Sequence, residues 1–251
     1  MEKMIYALLS ANTDQKEVIS LLAGRKGLSG ADLYLVSTAE MAVVACDIKR
    51  ADIIANSYNA IEYASVIEML AQHFTLLPVR FGSVMESTDA ILQMLERNLD
   101  DIQQNLLKVE KKYEFGLKIF CDSEKLKADL KAKPEAMSKK AETADQEITQ
   151  SIYRDWVNKK LKEHRLEEML LTYVDSVIAE IKGHLCMLQA VSKFNKMKTS
   201  TMIIDAVFLL DMERKDALIG AVADLQNQHS SLSFVLTGPW PPYNFVDFTV
   251  K

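Results

Sequence analysis

The chain has 251 residues, 49% of them hydrophobic and 26% charged, the ordinary mix of a folded soluble protein, which excludes a wholly disordered or collagen-like chain. Thirty basic residues against 35 acidic ones leave a net charge of −5, a poor basis for non-specific nucleic-acid binding, which needs a dense basic face. With only 8 Gly and 5 Pro, helix should dominate and loops should be short; the length suits one large domain or two modest ones.

Residues 4–10 are an apolar run flanked by Glu2, too short and too acidic for a secretory leader. No stretch approaches the roughly 18–20 apolar residues of a membrane span, so a cytoplasmic protein with no membrane contact is expected. Asn12, Thr13 and Asp14 are each able to cap a following helix whose apolar face is Val18, Ile19 and Leu22. Gly24, Gly27 and Gly30 break it. Alternation around Leu33 and Leu35 predicts a strand, residues 38–40 a hairpin loop, and residues 41–48 a second strand. A helix follows with Ile61, Ala64, Ile67, Leu70 and Phe74 on one face, then a short strand over 76–81. The order is β-α-β-β-α-β, that of a ferredoxin-like unit: an antiparallel four-stranded sheet with two helices on one face.

Ser87 is placed to cap a long helix with Asp89 in its first turn. Its stripe, Leu95, Leu99, Ile102, Leu106, Val109 and Tyr113, is spaced as a coiled-coil seam, and predicts packing on the chain's own second domain or on a partner helix. From residue 114 the period changes to two, with Phe115, Leu117, Ile119 and Cys121 alternating in a strand. A Lys- and Ala-rich helical stretch is expected over 122–165, interrupted at Pro134 and carrying Ile148, Ile152, Trp156 and Leu161. Another helix has Leu166, Met169, Leu170, Tyr173, Val174, Val177, Ile178 and Ile181 on one face and is expected to end at Gly183. Strands over 184–191 and 201–210, joined by a basic loop over 192–200, precede a helix capped by Asp211 and carrying Leu218, Val222 and Leu225, and then a last strand with Leu232, Phe234 and Leu236. The second half therefore repeats the β-α-β-β-α-β order with an enlarged helical insertion.

Three of the five prolines fall near the end, in residues 238–246, GPWPPYNFV. Proline removes backbone donors and fixes φ, so Gly238, Pro239, Trp240, Pro241, Pro242, Tyr243 and Phe245 should form a stiff, extended arm whose rings, with that of Phe248, need cover. Trp240 is expected to be buried. This segment resembles the C-terminal signature of the gas vesicle protein F/L family (GvpF/GvpL). Residues 77–84, LPVRFGSV, resemble that family's internal signature, with Ser83 where Thr is common; Arg80, Phe81 and Gly82 are its centre. The strand at 114–122 and the segment 202–210 also fall where the family pattern places them, with Asp205 near a position that is usually Asn.

The resemblance implies a minor gas vesicle component, without enzymatic activity or cofactor, that binds the small hydrophobic shell-forming subunit, and other gas vesicle proteins, during assembly. The residues themselves offer little reaction chemistry: phosphate-binding loops, nucleophile elbows and zinc signatures are missing. His184 and Cys186, which would share a face of the expected strand, make only half a zinc site, and no metal is expected. Three separated cysteines, Cys46, Cys121 and Cys186, should be reduced and buried. Arg80 should make a structural ion pair or bond loop carbonyls, with Gly82 supplying a positive-φ turn. Lys193, Lys196 and Lys198 with Phe194 are too few for a nucleic-acid site.

The expected organisation is α+β: a ferredoxin-like domain at 1–86, a connecting helix at 87–113, a modified ferredoxin-like domain at 114–238 and the arm at 239–251 docking back on the first domain. The rival reading is a small-molecule-binding regulatory protein built on the same tandem domains.

Overall fold

A computed structural model describes residues 1–10, 12–121, 152–196 and 201–246. Pro134, Ile148, Lys198 and Phe248, with most of the expected helical stretch over 122–165, lie outside these. The described chain is a mixed α+β protein with two antiparallel sheets. Its contacts group it into two units. One comprises Met1–Phe115, Leu209–Met212 and the described residues from Gly238 on; the other comprises Gly116–Phe208 and Glu213–Thr237.

The first unit opens with β1 (Glu2–Ser10), α1 (Gln15–Leu22), β2 (Leu33–Ser37), β3 (Met41–Ile48), α2 (Ser57–Ala71) and β4 (Leu76–Pro78). Local chemistry sets the boundaries. Asp14 caps α1, its carboxylate accepting from the N–H of Lys16 at 2.9 Å, and Asn56 caps α2 through the N–H of Asn59 at 2.8 Å. The Thr38 hydroxyl accepts from the N–H groups of Glu40 and Met41 and shapes the β2–β3 hairpin. The sheet runs β2-β3-β1-β4, and a two-residue strand, β5 (Val84–Met85), also pairs with β1.

The core differs from two helices on one face. Every residue of β1 from Met4 to Leu9 is buried, as is β3 from Met41 to Cys46. Helices α1 and α2 cover one face through Val18, Leu22, Val66, Ile67 and Leu70. The chain then forms α3 (Thr88–Arg97), capped by Ser87, and α4 (Leu99–Val109), which pack on β1, β2, β4 and β5. Ile91, Met94, Leu95, Ile102, Leu106 and Val109 are buried there. The expected seam is thus real, but it lies on the chain's own first sheet. It is also broken: Asn98 ends α3, its amide donating to the Met94 carbonyl at 2.7 Å, and α4 starts from it.

On α2 the buried face is Tyr63, Val66, Ile67 and Leu70, and Ile61 is 69% exposed. The expected stripe advanced in three-residue steps. Each step falls about 60° short of a full turn, so Ile61 lies about 120° round the helix from Ile67.

The second sheet has the order β7-β8-β6-β9, built from β6 (Lys112–Cys121), β7 (Val191–Lys196), β8 (Met202–Asp211) and β9 (Leu232–Trp240). Between them run α5 (Ile152–Met187) and α6 (Lys215–Gln228). Helix α5 does not end at Gly183. One interior Gly costs only about 1 kcal/mol relative to Ala, and the helix ends where Gln189 takes φ 53° and the Arg214 guanidinium donates to the Leu188 carbonyl at 2.7 Å. His184 and Cys186 therefore sit two apart on a helix, on different faces, and Cys186 is exposed. The expected basic loop begins as β7, with Phe194 packed on Phe208 at 5.9 Å between ring centres.

Ile102→Ala should lower unfolding free energy by about 2–5 kcal/mol in a urea titration. Leu107, in the same helix and 70% exposed, should tolerate alanine within about 0.5 kcal/mol. Equal effects would mean that α4 does not pack on the sheet through this face.

Candidate functional site

The two motif segments of the sequence both fall in the first unit. The internal one is the bend by which the sheet edge beside β1 changes strand. β1 pairs with β4 through Ala7, Leu8 and Leu9 and with β5 through Lys3 and Met4. Tyr6 lies at a register shift against β3, an extra residue between paired Ile5 and Ala7. Residues 79–83 bridge the gap: Val79 N–H donates to the Tyr6 carbonyl at 2.9 Å and Ile5 N–H to the Ser83 carbonyl at 3.0 Å. Within the bridge, Ser83 N–H donates to the Arg80 carbonyl at 3.1 Å. Gly82 has φ +81°, the conformation that the third position of a type II turn requires.

Tyr63 of α2 stands behind this bend. Its hydroxyl is shared between the carbonyls of Ile5 and Val79, each at 2.8 Å, so it occupies acceptors near the point where the strand partner changes. Its ring stacks on Tyr6 at 4.7 Å and meets Phe81 edge-on at 5.3 Å. The Tyr6 hydroxyl in turn accepts from Leu28 N–H at 2.8 Å, and no β-carbon would fit at Gly27, 2.4 Å from that oxygen. Burial pushes both phenols well above the usual tyrosine range. The Arg80 side chain is exposed and makes no hydrogen bond or ion pair among the described residues, in place of the ion pair or loop-carbonyl bond expected for it.

The C-terminal segment is anchored by a buried carboxylate and one buried ring. Glu114, 4% exposed, accepts from Asn244 twice, from the backbone N–H at 2.7 Å and from the side-chain amide at 2.5 Å. Phe245 is fully buried and Pro241 and Pro242 are buried. Trp240 is 40% exposed, so the anchor is Phe245 and not the tryptophan expected from side-chain size. Gly238 has φ +113°, and a β-carbon there would lie 2.7 Å from the Glu114 carbonyl. The Gly238–Pro239 peptide is cis.

Pro241 and Pro242 also line a cleft of about 150 Å³ with His73, Phe74, Thr75, Lys111 and Tyr113. Its polar groups serve the fold. Tyr113 donates to the Ala71 carbonyl at 3.2 Å and Lys112 to the Lys108 carbonyl at 3.2 Å, completing helix ends where carbonyls lack partners. The volume is below the roughly 300–1,000 Å³ of small-molecule sites. Half-exposed Tyr243 has its phenol pushed up to about 12, by burial first and then by the carboxylates of Glu68 and Glu114. Its charge also acts on Tyr63, raising that phenol further, after burial and Tyr6. Among the described residues, no group of three or more His, Cys, Asp or Glu is arranged to hold a metal ion. Sequence reasoning missed Tyr63, Glu114 and Asn244; the one available signal was a Glu on the alternating strand at 114, in phase with Gly116, Lys118 and Phe120.

Residues 3–247 match the family model described as gas vesicle synthesis protein GvpL/GvpF. The chain is 23% identical to gas vesicle protein F1 of Halobacterium salinarum over 229 residues, 90% of this chain and 86% of that protein. It is 21% identical to gas vesicle protein L of Haloferax mediterranei over 178 residues, 68% of this chain and 55% of that protein. Its fold matches the crystal structure of GvpF from Anabaena sp. with a TM-score of 0.80 at 20% identity, over 99% of both chains. GvpF from Microcystis aeruginosa matches with a TM-score of 0.73 at 18% identity, over 98% of this chain and 99% of that one.

Phe245→Ala should cost about 3–5 kcal/mol in chemical denaturation, and Trp240→Ala much less. Gly238→Ala should cost about 1–3 kcal/mol from backbone conformation alone, with the Glu114 contact adding to it. The raised Tyr243 phenol keeps its proton longer folded than unfolded, so stability should fall as pH rises from about 10, the unfolded tyrosine value, towards 12. Tyr243→Phe should make the fall of the denaturation midpoint across that window less steep, the phenols of Tyr6 and Tyr63 supplying the rest; an unchanged slope would place the Tyr243 phenol in water.

Proposed function

The chain belongs to the gas vesicle synthesis protein GvpL/GvpF family, and from that premise we propose that it is a non-enzymatic assembly factor that binds the shell-forming subunit and limits its aggregation. The observation that carries this reading is the family match across residues 3–247. The physical need is general. A subunit destined for a water-excluding wall carries apolar surface before assembly, and exposed apolar surface aggregates. A folded partner that covers it transiently keeps it competent.

The expected helix seam is not free for this task, because Leu95, Ile102 and Leu106 are buried in the first unit. An alternative apolar stripe stands outside on α2, where Tyr58 and Ile61, three residues apart, are 74% and 69% exposed; Ile54, in the segment before the helix, is 58% exposed. Such a stripe suits an apolar helix or ribbon of the subunit. Family members act in gas vesicle synthesis, so the partner is read as the shell subunit, with other gas vesicle proteins as further candidates. No nucleotide or metal enters this reading, and the protein works in the cytoplasm at the growing vesicle. Among the described residues no helix is long and apolar enough to cross a membrane.

The same proposal includes the architecture. The β-α-β-β-α-β order of the first half and the strand order β2-β3-β1-β4 support a ferredoxin-like unit, with α3 and α4 added on the sheet's second face. The second sheet's order β7-β8-β6-β9, the counterpart of β2-β3-β1-β4, supports a modified repeat without the extra strand β5. The buried Pro241, Pro242 and Phe245 support a C-terminal arm docked on the first unit.

Purified shell subunit should be captured by the folded protein without added nucleotide or metal. Tyr58→Asp combined with Ile61→Asp should weaken capture at least about tenfold, or ~1.4 kcal/mol, with an unchanged melting temperature because both side chains face water. Raising salt should change affinity by less than about tenfold, since apolar contact is insensitive to screening. No association between soluble, folded partners would overturn the assignment.

A further inference from the structure

The second sheet ends in β7 on one side and β9 on the other. An edge strand offers unpaired N–H and C=O groups to any strand that reaches it, and proteins blunt such edges with charge, above all Lys, or with Pro. β7 carries Lys193 and Lys196. β9 reads LSFVLTGPW, nine residues without a charge. Its first six combine aromatic, β-branched and aliphatic side chains with neither Gly nor Pro, the composition of segments that pair with copies of themselves.

Among the described residues, one side chain occupies this edge. Gln226, in the last turn of α6, donates its amide N–H to the Leu232 carbonyl at 2.7 Å. Its amide oxygen accepts from Phe234 N–H at 2.9 Å. A C=O and an N–H two residues apart on one edge are ladder positions that an added strand would use. A primary amide supplies the same acceptor and donor as a peptide group. Because Phe234 N–H is spent on Gln226, it is not spent on β6. Leu232, Phe234 and, by alternation, Leu236 therefore turn their backbone groups away from β6. Further along, the edge closes itself where Gly238 leaves the extended region at φ +113°.

We propose that Gln226 is a guard on a competent strand-pairing edge, and that β9 released from it pairs antiparallel with β9 of a second copy of this chain. The occupant follows from composition. About a twofold axis at Phe234, Leu232 faces Leu236 and no like charges meet, whereas pairing β7 with its own copy would bring lysines together. In an uncharged edge, the guard does the work that gatekeeper charges do elsewhere.

Gln226→Met keeps the side-chain length and loses both hydrogen bonds. Its sedimentation coefficient should rise with concentration over a range in which that of the wild type is constant. Adding Val235→Lys, at an exposed position of the same strand, should restore wild-type behaviour. Amide exchange gives an independent reading on the unaltered protein: Phe234 should exchange at least about tenfold more slowly than Leu236, its neighbour on the same edge. A Gln226→Met protein that sediments as the wild type at every concentration overturns the proposal. So does equal exchange at Phe234 and Leu236 in the wild type, which decides the matter even where the variant fails to fold. Self-association that survives Val235→Lys, or new binding of shell subunit without self-association, removes the second copy as the occupant and overturns it too.

Discussion

The first unit depends on β1 being satisfied on every side at once. Its six central residues are buried on both faces, so each backbone group must find a partner within the protein. β3 supplies the partners along one edge. On the other edge no single strand does: β4 serves three residues, β5 two, and the change falls at Tyr6. The Arg80–Ser83 turn, its left-handed Gly82 and the Tyr63 hydroxyl all follow from that break. A straight pairing partner would make each of them unnecessary. The aromatic stack of Tyr6, Tyr63 and Phe81 then fills the volume that the bend leaves behind α2.

The C-terminal segment solves a related problem with different means. A buried carboxylate is costly unless hydrogen-bonded, and Glu114 is held by both nitrogen donors of Asn244. The chain reaches that position only by passing close to its own strand at Gly238, where a side chain has no room. Glycine, prolines and asparagine in the motif thus have separate duties: close approach, stiffness and charge satisfaction. The aromatic residues divide too. Phe245 is core, while Trp240 and Tyr243 keep much of their surface in water.

What could be read from residues alone was what is decided locally. Asp14 and Ser87 as caps, the Thr38 hairpin and the strand at 41–48 rest on groups a few positions apart, and the structure has them there. Gly82 as a positive-φ position is of the same kind. The seam from Leu95 to Val109 was legible as a buried stripe, but spacing says that a face is covered and not by what; its partner is the first sheet. Asn98 gave no warning because Asn is tolerated inside helices as well as at their ends. Gly183 misled in the opposite direction, since tertiary packing around Ile178 and Ile181 carries α5 through it. Tyr63, Glu114 and Asn244 bond across 16 to 130 positions, and no pattern within one segment encodes such a meeting. Gln226 was hidden for a different reason: it bonds to a strand only 6 to 8 positions away, yet as a helix residue it looks like any solvated glutamine.

Chain order and spatial membership disagree in this protein. The unit that begins with Met1 also contains Leu209–Met212 and the residues from Gly238 on. A ribosome delivers residues in order, at roughly 5–20 per second, so about 120 residues separate Phe115 from the segment that shields Glu114. For roughly 6–25 seconds of synthesis the first unit exists without its closing piece, Glu114 lacks the donors of Asn244, and the place of Phe245 is open. The half made first is the half finished late, and every nascent copy spends that interval with an apolar recess that waits for Phe245.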